Sequence, residues 1–259
     1  MSATLLVAAC ARGPIEWQPQ RDIGSTIGPT TRLAIDADGS PRLIEEPTLD
    51  VALPAAACAG SLVTTRAGGA ERYAAWYVPR SDSSVVLQVA RSTDGGATWS
   101  TPVVADERDQ GRRGCSRPRP SLLVDSTTSY VHAAYFIEPS EGAGVWYTHS
   151  MERGTLWHER IGVLYGEEPV ATSIASAGDT VMVAYEHPGS AGRRLGLAIS
   201  RQAGHTFDER LRVVRVSGSA RNVRVALRAG RVALAWSETL AGDSSSRRPT
   251  TRVMLGSLR

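Results

Sequence analysis

The chain has 259 residues, of which 42% are hydrophobic, and it contains 25 glycines and 14 prolines. All 29 basic residues are arginine, which excludes phosphate binding by a P-loop lysine, Schiff-base chemistry and a Ser-Lys dyad. The formal net charge is only +3 and no known nucleic-acid-binding motif is present, so nucleic acid is not expected as a partner.

The first residues resemble the end of a bacterial lipoprotein signal. Val7-Ala8-Ala9-Cys10 fits a lipobox, in which Cys10 would carry the lipid. Only nine residues precede this cysteine, and none of them is basic, so the segment is short for a signal peptide. The alternative is an edge β-strand over Ala3–Ala9. We treat residues 1–20 as an N-terminal extension and residues 21–259 as one domain.

Two short segments, Thr31–Asp36 and Pro41–Glu46, are joined by the turn sequence Ala37-Asp38-Gly39-Ser40. This pattern predicts a β-hairpin. The two aspartates give the turn a faint likeness to a calcium loop, but the remaining ligands of such a loop are missing. We expect these N-terminal strands to complete the last unit of the repeat described below.

Three octapeptides share a serine, a glycine four residues later and an aromatic residue seven residues later. The shared positions are Ser92, Asp94, Gly96 and Trp99 in the first, Ser150, Glu152, Gly154 and Trp157 in the second, and Ser200, Gly204 and Phe207 in the third. The acid can accept backbone N–H bonds within a tight turn, and the glycine permits a positive φ. The aromatic ring can pack against a neighbouring sheet. The pattern therefore predicts a structural turn rather than a catalytic site.

A second element recurs 15 or 16 residues before each octapeptide serine, and a fourth copy follows the third octapeptide. Its members are Ala75-Trp76, Ala134-Tyr135, Ala184-Tyr185 and Ala235-Trp236. Each repeat unit can be divided into four short strands. In the second unit these are Ser121–Asp125, Tyr130–Ile137, Gly144–His149 and Arg160–Tyr165. Successive octapeptides start 58 and 50 residues apart, which is typical of β-propeller blades.

The octapeptides resemble Asp-boxes, and over roughly residues 57–259 the chain is similar to the Asp-box (BNR) repeat propellers, which include the sialidases. The resemblance implies an all-β propeller of four-stranded antiparallel blades with the boxes on its outer rim. We favour five blades over four or six, in a ring closed by an N-terminal strand. Such a fold does not by itself fix an activity.

Sialidases use three carboxylate-binding arginines, a tyrosine nucleophile paired with a glutamate, an aspartate acid/base and an N-terminal F/Y-R-I-P motif. That motif is missing from this chain. Tyr185-Glu186 is the only adjacent Tyr–Glu pair and is the catalytic alternative. Because Tyr185 occupies the position of a repeated core aromatic, we predict a structural role and assign no catalytic residue.

Four arginines precede the first strand of the second unit: Arg112, Arg113, Arg117 and Arg119. In a propeller this strand lines the central channel. The arginines therefore predict a basic mouth that suits an anion or an acidic segment of a partner. The alternative is a solvated loop.

Cys58 and Cys115 each precede the first strand of successive units, so they can lie close together. A disulfide would fit an extracytoplasmic compartment, and two buried free thiols are the alternative. The five histidines, at positions 132, 149, 158, 187 and 205, have no recognised ligand spacing. We therefore predict neither a metal site nor a cofactor.

Two functions fit these observations. The first is a non-catalytic extracytoplasmic propeller, which binds protein partners as an accessory subunit of a membrane complex and is held at the membrane surface by a lipid on Cys10. The alternative is a sialidase-type glycoside hydrolase that acts on an anionic sugar, with a glycan as its ligand.

Overall fold

The computed structural model describes residues 13–47, 49, 51–187, 194–214, 218–240 and 249–259. Within these ranges the regular structure consists of β-strands and one short 3₁₀ turn at Ala59–Ser61. Cys10 lies outside the described residues, so the lipobox stays a prediction.

The N-terminal strands are β1 (Ile15–Trp17), β2 (Arg21–Asp22), β3 (Thr31–Ile35) and β4 (Pro41–Glu45). Unit 1 contains β5 (Val63–Gly68), β6 (Glu71–Pro79), β7 (Val85–Ser92) and β8 (Val103–Asp106). Unit 2 contains β9 (Ser121–Val124), β10 (Val131–Ile137), β11 (Gly144–Ser150) and β12 (Ile161–Tyr165). Unit 3 contains β13 (Thr172–Ala177), β14 (Thr180–His187), β15 (Arg194–Ser200) and β16 (Glu209–Val214). Unit 4 contains β17 (Gly218–Arg228), β18 (Arg231–Leu240) and β19 (Thr250–Leu258).

Units 1, 2 and 3 are antiparallel four-stranded sheets in which each strand pairs with the next along the chain. The strands of unit 2 match the sequence prediction to within one residue at every end. The repeated aromatic side chains Trp76, Tyr135, Tyr185 and Trp236 are all buried. This burial explains why each unit keeps an aromatic residue at that point on its second strand.

Unit 4 obtains its fourth strand from the N-terminal region. Strand β1 pairs with β19, where Ile15 lies opposite Leu258 and Trp17 lies opposite Gly256. The strands predicted for this position, Thr31–Asp36 and Pro41–Glu46, do not occupy it. Strand β1 lies within residues 1–20, the predicted extension, and pairs with the sheet of unit 4. Its three residues give too short an alternation to be recognised in the sequence. They cover one end of the outer edge of β19, and β2 pairs with the same strand at Arg252 and Val253, so this edge is protected.

The hairpin prediction itself is confirmed. Strands β3 and β4 form a separate two-stranded sheet, and the Asp38 carboxylate accepts the backbone N–H of Ser40 in its turn. Leu33 and Ile35 pack against Ala233 of unit 4. The hairpin is therefore an additional two-stranded unit beside unit 4.

Contacts between first strands run in the order β5, β9, β13, β17 and β3. Apolar clusters fill the space between successive sheets, from units 1 and 2 through to unit 4 and the hairpin. The fold is an all-β propeller of four-stranded antiparallel sheets. Among the described residues, no helix has the length and apolar character needed to cross a membrane.

Candidate functional site

A shallow depression lies where β9 and β13 begin and where β17 bulges. We call it the central depression; it is lined by Pro118, Pro169, Ala171, Glu186, Arg221 and Asn222. The prolines and the bulge interrupt regular pairing here, so loops from units 2, 3 and 4 meet at one point.

The bulge is held by a carboxylate. Asn222 has a φ of +57°, and its backbone N–H donates to Glu186 Oε1 over 2.6 Å. Only 5% of Glu186 is exposed. This bond joins the second strand of unit 3 to the first strand of unit 4, which gives Glu186 a structural task.

The Tyr185-Glu186 pair of the catalytic alternative does not assemble. Successive side chains on a strand point to opposite faces of the sheet. Tyr185 packs in the apolar cluster between units 2 and 3, whereas Glu186 lines the central depression. Burial raises the pKa of Tyr185. A buried phenol facing away from the carboxylate is not positioned as a nucleophile paired with that base.

Arg224 lies close to two carboxylates. Its guanidinium donates to the carbonyl oxygens of Thr31, over 2.6 Å, and Gly28, over 2.7 Å. Burial lowers the pKa of Arg224. The negative charges of Glu186 and Glu45 partly oppose this shift, and the positive charge of Arg119 adds to it. A mixed cluster of charges therefore surrounds the inner ends of units 2, 3 and 4.

The predicted basic mouth is wrong for Arg117. This side chain is buried, and it bonds Asp109 over 2.8 Å and lies 3.3 Å from Glu138. Asp109 also accepts the backbone N–H groups of Val85 and Glu138, each over 2.8 Å. The arginine is thus the partner of a buried carboxylate that fixes the loop before β9, and a soluble anion cannot reach it.

The other three arginines lie on the surface. Arg113 bonds Glu138 over 2.9 Å, and Arg119 donates to the carbonyl oxygen of Gly60 over 2.9 Å. Arg112 is exposed. Of the four, Arg119 lies beside the central depression, directly after Pro118. Its positive charge contributes to the lowered pKa of Arg224.

The three octapeptides form the same turn. In each, the serine hydroxyl oxygen accepts the backbone N–H of the glycine four residues later over 2.9 Å. The glycine φ values are +102° at Gly96, +81° at Gly154 and +92° at Gly204. The serine and the glycine therefore define the turn, whatever the third residue is.

Only the first turn uses its acid. Asp94 accepts the backbone N–H of Thr98 over 2.9 Å and the hydroxyls of Thr98 and Ser92 over 2.6 and 2.8 Å. These bonds hold the pKa of the Asp94 carboxyl well below its usual range. In the described structure no hydrogen bond reaches the Glu152 carboxylate, because the threonine of the second turn, Thr155, stands one position earlier and donates to the Glu152 carbonyl oxygen.

The aromatic residue of each turn packs inward. The Phe207 ring meets the Tyr147 ring of unit 2 edge-on, with centroids 4.9 Å apart. Trp157 packs against the core between units 1 and 2, and Trp99 packs against the small cluster around Trp76. The turns thus fasten each unit to its surroundings.

Cys58 and Cys115 form a disulfide, with their Cα atoms 5.3 Å apart. The bond links the segment before β5 to the segment before β9. It therefore ties unit 1 to unit 2 covalently, close to the Arg117 cluster.

Sequence reasoning missed a group of histidines. His149, His158 and His205 lie together where units 2 and 3 meet, with one ligand-capable nitrogen of each within 4.8 Å of the others. Two of them flank the second octapeptide and the third lies inside the third octapeptide. Their positions relative to the repeat were the signal that could have revealed the group, because equivalent turns on adjacent blades face each other.

No protein-family model matches the chain, and no curated protein matches it. Solved structures do share its fold. The phage phi92 endosialidase aligns over 85% of this chain and 39% of its own length, with a TM-score of 0.53 and 10% identity. The xylan β-1,4-xylosidase from Bacillus halodurans C-125 aligns over 87% of this chain and 52% of its own, with a TM-score of 0.51 and 11% identity.

A protein of unknown function from Dyadobacter fermentans aligns over 96% of this chain and all of its own, with a TM-score of 0.51 and 12% identity. The chain therefore spans about half of the xylosidase and about two fifths of the endosialidase. Likeness at this level of identity shows a shared β-propeller fold and nothing further about activity.

Proposed function

We propose that the chain is a non-catalytic binding module that docks an acidic segment of a protein partner on its central face. The central depression carries this proposal. Its volume of about 240 Å³ is below the usual range of small-molecule pockets, roughly 300–1,000 Å³. Exposed Arg221 lines it and exposed Arg119 lies beside it, whereas Glu186, the acidic residue of its lining, is buried and bonds Asn222, so the charge that reaches the surface of the depression is positive.

The roles of the nearby ionisable groups support a binding task. Glu186 is committed to the bulge of β17, Asp109 to Arg117, and Tyr185 to the core. These groups give a rigid frame around the depression. A rigid face lowers the entropic cost of docking a partner.

An extracytoplasmic location is part of the proposal. The Cys58–Cys115 disulfide supports it, because structural disulfides persist in oxidising compartments. A lipid on Cys10 would hold the propeller near a membrane complex, although one acyl chain anchors weakly and protein contacts must add to it. Mass spectrometry of the mature N-terminus tests the anchor: a free N-terminus at Met1 would contradict it.

We also propose that the three octapeptides are Asp-boxes. Their common serine-to-glycine bond, positive φ and inward-packed aromatic support this assignment. In this interpretation the boxes stabilise the blades and take no part in binding the partner.

The docking proposal is tested by charge reversal. We expect the double variant Arg119→Glu/Arg221→Glu to bind a fluorescent polyglutamate peptide at least about tenfold more weakly at low ionic strength. Proteins that cross-link to the wild-type chain in the cell envelope should no longer cross-link to this variant. Arg42→Glu is the matched control, because Arg42 is an exposed arginine near the β3–β4 turn. Equal peptide binding by all three proteins would contradict the proposal.

A second candidate is a glycoside hydrolase that acts on an anionic sugar. The fold that the chain shares with the phage phi92 endosialidase and the xylosidase favours this candidate, and Glu186 is the carboxylate that lines the central depression. The candidate predicts release of fluorophore from a sialoside by the wild-type protein and not by Glu186→Gln. Absence of turnover by correctly folded wild-type protein would end it.

A further inference from the structure

The three clustered histidines come from two adjacent blades. His149 is the last residue before the second octapeptide, His158 is the first residue after it, and His205 lies within the third octapeptide. One ring nitrogen of each lies within 4.8 Å of the other two. We propose that His149, His158 and His205 bind a divalent transition-metal ion between units 2 and 3.

The strongest support is the state of His149. Its side chain is fully buried, and neither ring nitrogen has a hydrogen-bond partner among the described residues. Buried polar atoms are nearly always paired, and an unpaired one costs free energy. A metal ion coordinated by one of these nitrogens would use the lone pair that the protein leaves unmatched.

The rings are already close to one another. His149 and His158 stack with centroids 4.4 Å apart and planes inclined by 7°. His205 meets the His149 ring edge-on at 4.7 Å. In a tetrahedral zinc site the nitrogen atoms lie about 3.4 Å apart, given Zn–N bonds of about 2.0–2.1 Å. The nearly parallel planes of His149 and His158 place their in-plane lone pairs side by side, so metal binding requires His158 and His205, the two less buried rings, to turn toward a common point.

The backbones that carry the ligands are fixed. The His158 N–H donates to the His149 carbonyl oxygen over 2.9 Å, and the His205 N–H donates to the Gln202 carbonyl oxygen over 2.9 Å. The hydroxyl of Thr148 donates to the His158 carbonyl oxygen over 2.6 Å. Two ligands therefore sit on one hydrogen-bonded turn and the third on its neighbour, so little backbone entropy remains to be lost on binding.

The donor set selects the class of ion. Three imidazole nitrogens suit Zn²⁺, Cu²⁺, Ni²⁺ or Co²⁺, whereas Ca²⁺ and Mg²⁺ need oxygen ligands. His205 is exposed, which leaves the fourth coordination position on the solvent side.

The test is a metal titration of the full chain, purified without a polyhistidine tag. We expect isothermal titration calorimetry to show one Zn²⁺ per chain, and Co²⁺ to give the visible absorption of a tetrahedral complex. His158→Ala and His205→Ala should each weaken Zn²⁺ binding at least about tenfold. His187→Ala, on β14 and outside the cluster, is the control and should bind as the wild type does.

Chelation gives an independent readout. Adding EDTA should lower the Tm of the zinc-loaded wild type and of His187→Ala, and it should leave the Tm of His158→Ala/His205→Ala unchanged. His149→Ala is avoided because this residue is buried and its loss could unfold the protein. No stoichiometric Zn²⁺ binding by folded wild type, or equal affinity in the single variants and the control, would overturn the site. Neither result bears on the docking of acidic peptides.

Discussion

The boundary between units 1 and 2 and the boundary between units 2 and 3 use the same turn but close it differently. At the first, Glu71 bonds Arg91 over 2.6 Å, lies 3.6 Å from Arg153 and accepts the Tyr73 hydroxyl over 2.8 Å. At the second, the position that corresponds to Arg91, directly before the octapeptide, is His149. Ion pairs and a disulfide close one boundary, and three histidine side chains lie together at the other.

The difference shows which parts of the repeat are fixed. The serine-to-glycine bond sets the backbone at both boundaries, so the flanking side chains can change without altering the turn. At the first boundary the charged side chains beside the turns, Arg91 and Arg153, pair with Glu71. At the second boundary both ring nitrogens of His149 are left without a partner among the described residues, so this boundary suits an added ligand.

Among the changes that test this difference between the two boundaries, removal of the disulfide should lower the free energy of unfolding most. The Cys58→Ser/Cys115→Ser variant should lose about 2–4 kcal/mol of unfolding free energy, because the cross-link closes a long loop between the two units. Denaturant unfolding of the oxidised wild type and the variant measures the loss. The addition of reductant should destabilise the wild type alone. A loss below about 0.5 kcal/mol would show that the ion pairs hold this boundary without the covalent link.

Replacing the turn glycine by alanine should destabilise the protein by different amounts at the two boundaries. At Gly204 the new Cβ would overlap the Tyr147 hydroxyl, which is buried and lies 2.6 Å from His132 Nδ1. At Gly154 it would lie 3.2 Å from the Tyr73 ring. We expect Gly204→Ala to cost about 2–3 kcal/mol and Gly154→Ala about 1 kcal/mol, since both positions have positive φ but only Gly204 also clashes. Chemical denaturation of both variants measures the two losses of unfolding free energy. Equal losses would contradict the packing argument.

A smaller effect is expected from neutralising the acid at the first boundary. Burial alone would raise the pKa of Glu71, but hydrogen bonds from Tyr73 and Arg91 outweigh it, so the pKa is lowered. Glu71→Gln should therefore cost about 1 kcal/mol near neutral pH, and this loss should shrink below the ordinary glutamate pKa of about 4.3 and vanish only as the pH falls through the lower folded-state pKa. Urea unfolding near neutral pH and well below about pH 4.3 measures the change in unfolding free energy. Glu46→Gln, another ion-paired glutamate away from this boundary, is the control.

The smallest effect concerns the acid of the first turn. Because the folded-state pKa of Asp94 is depressed, its carboxylate stabilises the fold above the unfolded value of about 3.9, and this contribution is lost as the pH falls through the folded value. The Tm difference between wild type and Asp94→Asn should be constant between about pH 5 and 7 and should shrink below about pH 4. Glu152→Gln should show no such difference at any pH. A matching pH dependence in Glu152→Gln would mean that the second turn uses its acid in the same way.

Much of the architecture could be predicted from the sequence. The repeated aromatic element and the turn residues located the strands of unit 2, and the spacing of the octapeptides indicated a propeller. The hairpin at Asp38 followed from its turn residues. The edge strand β1 could not be predicted, because three residues carry too little pattern and their partner lies at the other end of the chain.

The candidate sites were harder to predict for the same reason. Arg117 reads as a surface arginine until Asp109 and Glu138 are seen beside it. Tyr185 and Glu186 are neighbours in sequence, but the strand turns their side chains apart.

The sequence by itself determined the local chemistry: which turns form, which aromatic residues are buried and which strands alternate, since these depend on residues a few positions apart. Only the tertiary structure decided which distant groups meet. Equivalent turns on adjacent blades face each other, so residues some 50 positions apart come into contact, as His149 and His205 do. That pairing depends on how the sheets pack around the axis, and nothing in a local pattern contains it.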